Sequence, residues 1–169
     1  PGEDYLIEPD ASAASYFLAL PLVTGGKLAL LGAQDSKQGL QGDTEFAEVV
    51  RQIGADVHAG PHGLEVSFTR GGARAAIAER DFKPISDTFL TLAATAPLFN
   101  GPTRITGIAH TRKQETDRVA GMARELTKLG QEVVEEHEAR TSTPLLRKAG
   151  VEIETYVHHR FAMSFGILG

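Results

Sequence analysis

The chain has 169 residues, 41% of them hydrophobic, enough for one domain with a real core or for two small halves. A net charge of -5 argues against general nucleic-acid binding, which needs a basic face, although a local basic pocket remains compatible with it. The lack of cysteine excludes disulfides and thiol catalysis and fits a reducing, cytoplasmic compartment; no secretory leader is expected, and the apolar runs near residues 16–23 and 89–99 are too short to span a bilayer.

In chain order, an extended segment is expected at Tyr5-Leu6-Ile7-Glu8. Asp10 predicts the N-cap of a helix through about residue 23, because a short carboxylate can accept from the free amides of a first turn. A strand follows at residues 27–31. After a glycine-rich connection at residues 39–42, a helix is expected over about residues 44–53, closed by Gly54. Val57-His58 and residues 64–68 then form a hairpin-like pair around Gly60-Pro61-His62-Gly63. Residues 71–76 lack the Lys-Ser/Thr ending of a phosphate loop and read as a linker. Beyond them the order recurs. Asp87 predicts the cap of a helix to about residue 99, residues 103–108 a strand, residues 115–129 a helix closed by Gly130, and residues 132–135 and 139–142 two further strands.

The recurrence is a repeat with an offset of roughly 76 residues. Asp10 answers Asp87, and Ile53-Gly54-Ala55-Asp56-Val57 answers Leu129-Gly130-Gln131-Glu132-Val133. One unit is strand, helix, strand, helix, two strands, spanning about residues 4–70 and again about residues 76–143, with a third beginning at about residues 151–169. All of residues 1–169 read as a single domain fragment. The first helix of each unit leaves no polar face, given Phe17, Leu18, Leu20, Leu90, Leu92 and Leu98, so burial on every side is expected; the second is amphipathic. The fold class is therefore α+β (mixed), with βαβαββ repeats, helices packed inside, sheets outside, and the third repeat truncated. A start at Pro1 and an apolar run at residues 161–169 that stops before any return strand give the expectation of a fragment.

Residues 110–118, His-Thr-Arg-Lys-Gln-Glu-Thr-Asp-Arg, concentrate charge at the expected start of a helix. Such an end carries about half a positive charge and unpaired amides, so Arg112, Lys113 and Arg118 beside it suit phosphate or carboxylate. Glu115, three residues before Arg118, is expected on the same helical face and can move protons. Together they point to chemistry on a phosphorylated or acidic substrate; a capped, solvated helix start would show the same pattern. Capping alone would also explain Asp87, since Asp10 holds the same place in the first unit. Arg124 reads as solvated. The pair His158-His159 has no Asp or Glu at ligand-like spacing, and no metal is expected.

Four ordered segments, Glu8-Pro9-Asp10-Ala11-Ser12-Ala13-Ala14-Ser15-Tyr16-Phe17-Leu18, Ser86-Asp87-Thr88-Phe89-Leu90-Thr91-Leu92-Ala93, Gln114-Glu115-Thr116-Asp117-Arg118 and His159-Arg160-Phe161-Ala162-Met163, resemble the 5-enolpyruvylshikimate-3-phosphate synthase family. The resemblance covers nearly all of this chain, which in turn resembles most of one of that family's two globular domains. It implies three-fold βαβαββ domains of the alpha-beta prism kind. It also implies transfer of enolpyruvyl from phosphoenolpyruvate to the 5-hydroxyl of shikimate 3-phosphate, through a tetrahedral intermediate and loss of phosphate, on the route to chorismate and the aromatic amino acids. No metal or organic cofactor is implied, nor any nucleic-acid or membrane partner; the partners are the two substrates and a second domain that closes the cleft. Glyphosate-class inhibitors come with the family.

By motif, Asp87 is similar to the aspartate that binds the 5-hydroxyl and acts as its base, and Glu115 to the glutamate that transfers a proton at the phosphoenolpyruvate methylene. Arg118 and Arg160 resemble the pair that holds the phosphoenolpyruvate anion, as two guanidinium groups can do bidentately. His110 stands where the family commonly has an asparagine at the shikimate moiety, and His159 belongs to the matching His-Arg motif. Two positions depart. Gln114 replaces a lysine, with Lys113 one place earlier, and His158 replaces an aspartate. Two other readings stay open: the enolpyruvyl transferase acting on UDP-N-acetylglucosamine, against which Glu-Thr-Asp-Arg speaks, and a non-catalytic phosphate-binding or interaction module, which the two departures support.

Overall fold

The computed structural model describes residue 2, residues 7–135, the backbone of residues 139–142, and residues 150–169. Of the extended segment expected at residues 5–8, Tyr5 and Leu6 lie outside the described residues, and Ile7 and Glu8 are irregular. Helix α1, Ala11–Thr24, opens on Asp10, whose side chain accepts from the Ala13 amide at 3.0 Å. Strand β1, Gly26–Leu31, follows at once. The helix expected over residues 44–53 is split, with Gly42–Glu45 wound as a 3-10 turn and α2 running Phe46–Ile53 to a left-handed Gly54. Phe46, Ala47, Val49, Val50 and Ile53 give α2 a single buried stripe.

Strands β2, Asp56–Gly60, and β3, Gly63–Phe68, form the expected hairpin, with β3 between β1 and β2 and every pairing antiparallel. Gly63 sits at φ 141°, and a Cβ there would run into the Leu30 carbonyl, so only glycine fits. The connection at residues 71–76 is pinned rather than loose: the Arg74 guanidinium donates to the Leu22 carbonyl at 2.5 Å and lies 5.0 Å over the Phe68 ring.

The second run of elements has the full βαβαββ order: β4 Arg80–Asp81, α3 Phe89–Thr95, β5 Thr103–Thr106, α4 Arg118–Lys128, β6 Val133–Glu135 and β7 Ala139–Ser142. Its sheet runs β4-β5-β7-β6, with β4 parallel to β5 across the α3 crossover and the other pairs antiparallel. Helix α5, His159–Gly166, follows.

Two helix starts differ from expectation. Helix α3 begins at Phe89 rather than after Asp87: Lys83–Thr88 is a 3-10 stretch broken at Ile85, and Asp87 caps nothing. Helix α4 begins at Arg118 because Asp117, not an earlier residue, takes the capping role and accepts from the Ala120 amide at 2.9 Å. Glu115 therefore lies in the loop before the helix, and Ala109–Lys113 form a separate 3-10 turn.

Every residue of α3 is buried, and the helix packs between α1, α4 and α5 with β5 beside it. Ser15 of α1 and Thr91 of α3, 76 residues apart, share a hydroxyl hydrogen bond of 2.9 Å, so the repeat offset read from the sequence also relates two residues that touch. Phe46, Phe82, Phe89, Phe99 and Phe161 are fully buried around these helices. Helix α1 is less enclosed than expected: Leu18, Ala19 and Leu22 are buried, but Phe17 is 43% exposed. Among the described residues no helix is long and apolar enough to cross a membrane.

Candidate active site

Asp87 lies ahead of α3 with a carboxylate that no backbone amide of that helix uses. Its Oδ1 accepts from Arg118 Nη1 of α4 at 2.7 Å, and its Oδ2 accepts from Arg160 Nη2 of α5 at 3.0 Å. Helices α4 and α5 thus meet on one carboxylate. Arg118 is 6% exposed and Asp87 about one-third exposed, so the pair opens to solvent from the carboxylate side. Both arginines also bury an Nε that has no partner among the described residues. Two guanidinium groups with donors to spare, held by one carboxylate, make an anion-binding arrangement. The contrast with Asp10, which does cap its helix, removes the capping explanation for Asp87.

Helix α1 contributes a residue that the sequence did not single out. The Tyr16 hydroxyl is buried without an aligned partner beside Arg160, with burial raising its pKa and the Arg160 charge opposing that rise. Asp43, from the turn before α2, accepts a hydrogen bond from the Ser12 hydroxyl. Burial pushes the Asp43 carboxyl above its ordinary value, against the Ser12 bond and with help from the nearby Asp87 charge.

The loop before α4 is only partly engaged. Glu115 Oε2 lies 3.1 Å from His158 Nε2, near enough for an ion pair but without hydrogen-bond alignment, and its side chain is otherwise open to solvent. His110 Nε2 lies 3.0 Å from the Ser86 hydroxyl, next to Asp87 in the chain. Lys113 and Gln114 are exposed, and among the described residues neither is tied to Asp87, Arg118 or Arg160. Arg112 is engaged by carboxylates of the protein itself, pairing with Glu135 at 2.6 Å and with Asp117 at 3.4 Å. His159 is exposed and stacks on His158 with ring centroids 5.2 Å apart. Among the described residues no group of three or more His, Asp or Glu could hold a metal ion.

The turn that delivers Arg160 is strained. Tyr156 and Val157 both adopt left-handed backbone, at φ 55° and 54°, which β-branched valine strongly disfavours. The strain is held by buried Glu125 of α4, which accepts from the Tyr156 hydroxyl at 2.7 Å, the Glu154 amide at 3.1 Å and Lys128 at 2.8 Å. Burial opposes the Glu125 charge, but these three donors outweigh it and keep the carboxyl below its ordinary value. Arg124 is not merely solvated, as the sequence suggested; its guanidinium lies 5.3 Å over the Tyr156 ring. Because Val157 is fully exposed, Val157→Asn removes the steric conflict and loses no packing, and it should stabilise the fold by about 1 kcal/mol. A higher urea midpoint at unchanged slope would confirm this, and an unchanged midpoint would mean the turn is not strained.

A family model described as EPSP synthase (3-phosphoshikimate 1-carboxyvinyltransferase) matches residues 1–169. The chain belongs to the EPSP synthase family. It is 56% identical over 165 residues to the 3-phosphoshikimate 1-carboxyvinyltransferase of Opitutus terrae, covering 98% of this chain and 35% of that protein. It is 40% identical to the enzyme of the same name from Pseudoalteromonas atlantica, covering 98% of this chain and 37% of that one. A solved EPSP synthase from Acinetobacter baumannii superposes with a TM-score of 0.79 at 23% identity, over 96% of this chain and 39% of that chain, a likeness that shows the fold. The chain thus spans a little over a third of the length of these relatives.

Proposed function

We propose that this chain provides one wall of a 3-phosphoshikimate 1-carboxyvinyltransferase site, in which Arg118 and Arg160 hold phosphoenolpyruvate while Asp87 and Glu115 move protons. The observation that carries the reading is the Asp87 carboxylate bridged by guanidinium groups from two different helices, each with a buried donor to spare. A ligand carboxylate or phosphate would displace Asp87 from the two Nη donors that it now occupies, with the Nε groups as further donors, leaving Asp87 free to take the proton of an incoming hydroxyl. That hydroxyl oxygen, the 5-hydroxyl of shikimate 3-phosphate, adds to the phosphate-bearing carbon of phosphoenolpyruvate as the methylene carbon takes a proton from Glu115. Return of a methyl proton to Glu115 and cleavage of the carbon–oxygen bond to phosphate then release phosphate and leave the enolpyruvyl ether.

In this reading His110, beside Ser86, and His159 line the acceptor side, Lys113 and Gln114 approach the anion only when the loop before α4 moves, and no cofactor takes part. The segmentation at about residues 4–70, 76–143 and 151–169 makes the chain part of one domain. The remaining length of the relatives supports a second half that completes the clamp. The lack of cysteine is compatible with a cytoplasmic site of action. The test is phosphate release by the full-length protein bearing this sequence: it should require both phosphoenolpyruvate and shikimate 3-phosphate, and the chain of residues 1–169 alone should not turn over. Release with UDP-N-acetylglucosamine in place of shikimate 3-phosphate would favour the other transferase, and no release with either acceptor would favour a binding module.

A further inference from the structure

His158 occupies the N-cap of α5, the place that Asp10 fills for α1. Its Nδ1 accepts from the Arg160 amide at 3.2 Å, its ring is buried, and its Nε2 faces Glu115 at 3.1 Å. Phe161 meets the ring edge-on at 5.9 Å and His159 stacks on it. An imidazole nitrogen that accepts from an amide carries no proton, so the ring is the neutral tautomer with its hydrogen on Nε2, which lies near Glu115 without being aligned on it. A carboxylate cap keeps its acceptor down to strongly acidic solution, whereas this one does not.

We propose that His158 is a positioning residue that works only as the neutral imidazole, capping the helix that carries Arg160, so that its protonation draws Arg160 out of its place in the clamp. A proton on Nδ1 would set two donors against each other at the Arg160 amide. It would also place a cation at a helix N-terminus, where the dipole is positive. The charged and titratable groups around the ring are Glu115 from the loop before α4, Arg118 of α4, and His159 and Arg160 of α5. Burial disfavours the imidazolium most, Arg118 adds to that, and Glu115 opposes it, so the ring titrates below its ordinary range. The neutral form therefore persists below the ordinary imidazole pKa, and the cap is lost only as the pH falls through the lowered value of the buried ring. The consequence for anion binding rests on the reading of Arg118 and Arg160 as a clamp; the coupling of His158 to Arg160 does not.

The test is sulfate binding to the full chain from about pH 7.5 down to about pH 4, a range that extends below the ordinary imidazole pKa and in which sulfate keeps its charge. Wild-type affinity should fall about five-fold relative to His158→Asn, which caps without titrating, the scale of losing a cap; the other histidines and carboxylates near the site are common to both proteins and cancel in that ratio. Parallel pH profiles in the two proteins overturn the proposal. A second readout needs neither sulfate nor the variant: the Arg160 amide resonance should shift with the same midpoint as the His158 ring, and an amide that ignores the ring overturns the proposal as well. Sulfate that binds neither protein at any pH defeats the clamp reading instead, and the amide titration then decides the role of His158 by itself.

Discussion

Asp87→Ala should tighten sulfate binding by about ten-fold while slowing turnover of the full-length protein at least about a hundredfold. The two arginines now spend donors on Asp87, at 2.7 and 3.0 Å, and any external anion must displace that carboxylate. Charge-assisted hydrogen bonds are each worth about 1.5–3 kcal/mol, so removing the internal competitor returns a useful part of that to a ligand. Without an anion, the same variant leaves two guanidinium groups without the carboxylate between them, one of them 6% exposed. Since Asp87 is about one-third exposed, solvent screens part of the loss, and about 1–2 kcal/mol of stability should disappear. Added sulfate should restore it by binding only the folded chain. In the full-length protein, loss of a general base should lower the rate at least about a hundredfold. Unchanged sulfate affinity, together with an unchanged unfolding midpoint, would show that Asp87 neither occupies the clamp nor holds it.

Much of the fold could be read from local pattern because its signals are local. Gly54 closes α2, Asp10 caps α1, and the stripe from Phe46 to Ile53 marks the amphipathic second helix. The two Asp residues of the repeat show where such reading stops. Asp10 and Asp87 look alike in sequence, but Ile85 breaks the turn before α3, so only Asp10 is placed to accept from its own helix. The start of α4 moved for a similar reason. Glu115 and Asp117 are both acidic, and the shorter Asp117 side chain reaches the Ala120 amide.

Two long-range pairings left no trace in the sequence. His158 meets Glu115 from 43 residues away, and Tyr16 reaches Arg160 from another helix. Val157 was hidden for the opposite reason: its sequence signal argues against the left-handed turn it adopts, and only the Glu125 to Tyr156 clasp explains how that turn is held. Phe17 marks a third limit, since an apolar face shows that a helix can be covered, not which neighbour covers it.

Arg118 and Arg124 should separate cleanly although they share a helix and a charge. Arg118 stands in the first turn of α4, where the helix dipole and free amides add to its pull on an anion, and it already holds a carboxylate. Arg124 is exposed nearly two turns on and lies over the Tyr156 ring, away from Asp87. Arg118→Ala should therefore weaken sulfate or phosphoenolpyruvate binding by about 1.5–3 kcal/mol, the value of a hydrogen bond to a charged group. Its effect on stability should be smaller, because Arg160 still holds Asp87 and because a cation in a first turn opposes the dipole. Arg124→Ala should do the reverse, leaving affinity unchanged and costing about 0.5–1 kcal/mol of stability through the lost cation–π contact at an exposed site. Titration with sulfate and urea unfolding at one fixed salt concentration measure both quantities on both variants. Equal affinity losses would mean that general positive charge draws the anion and that the contact between Arg118 and Asp87 is incidental.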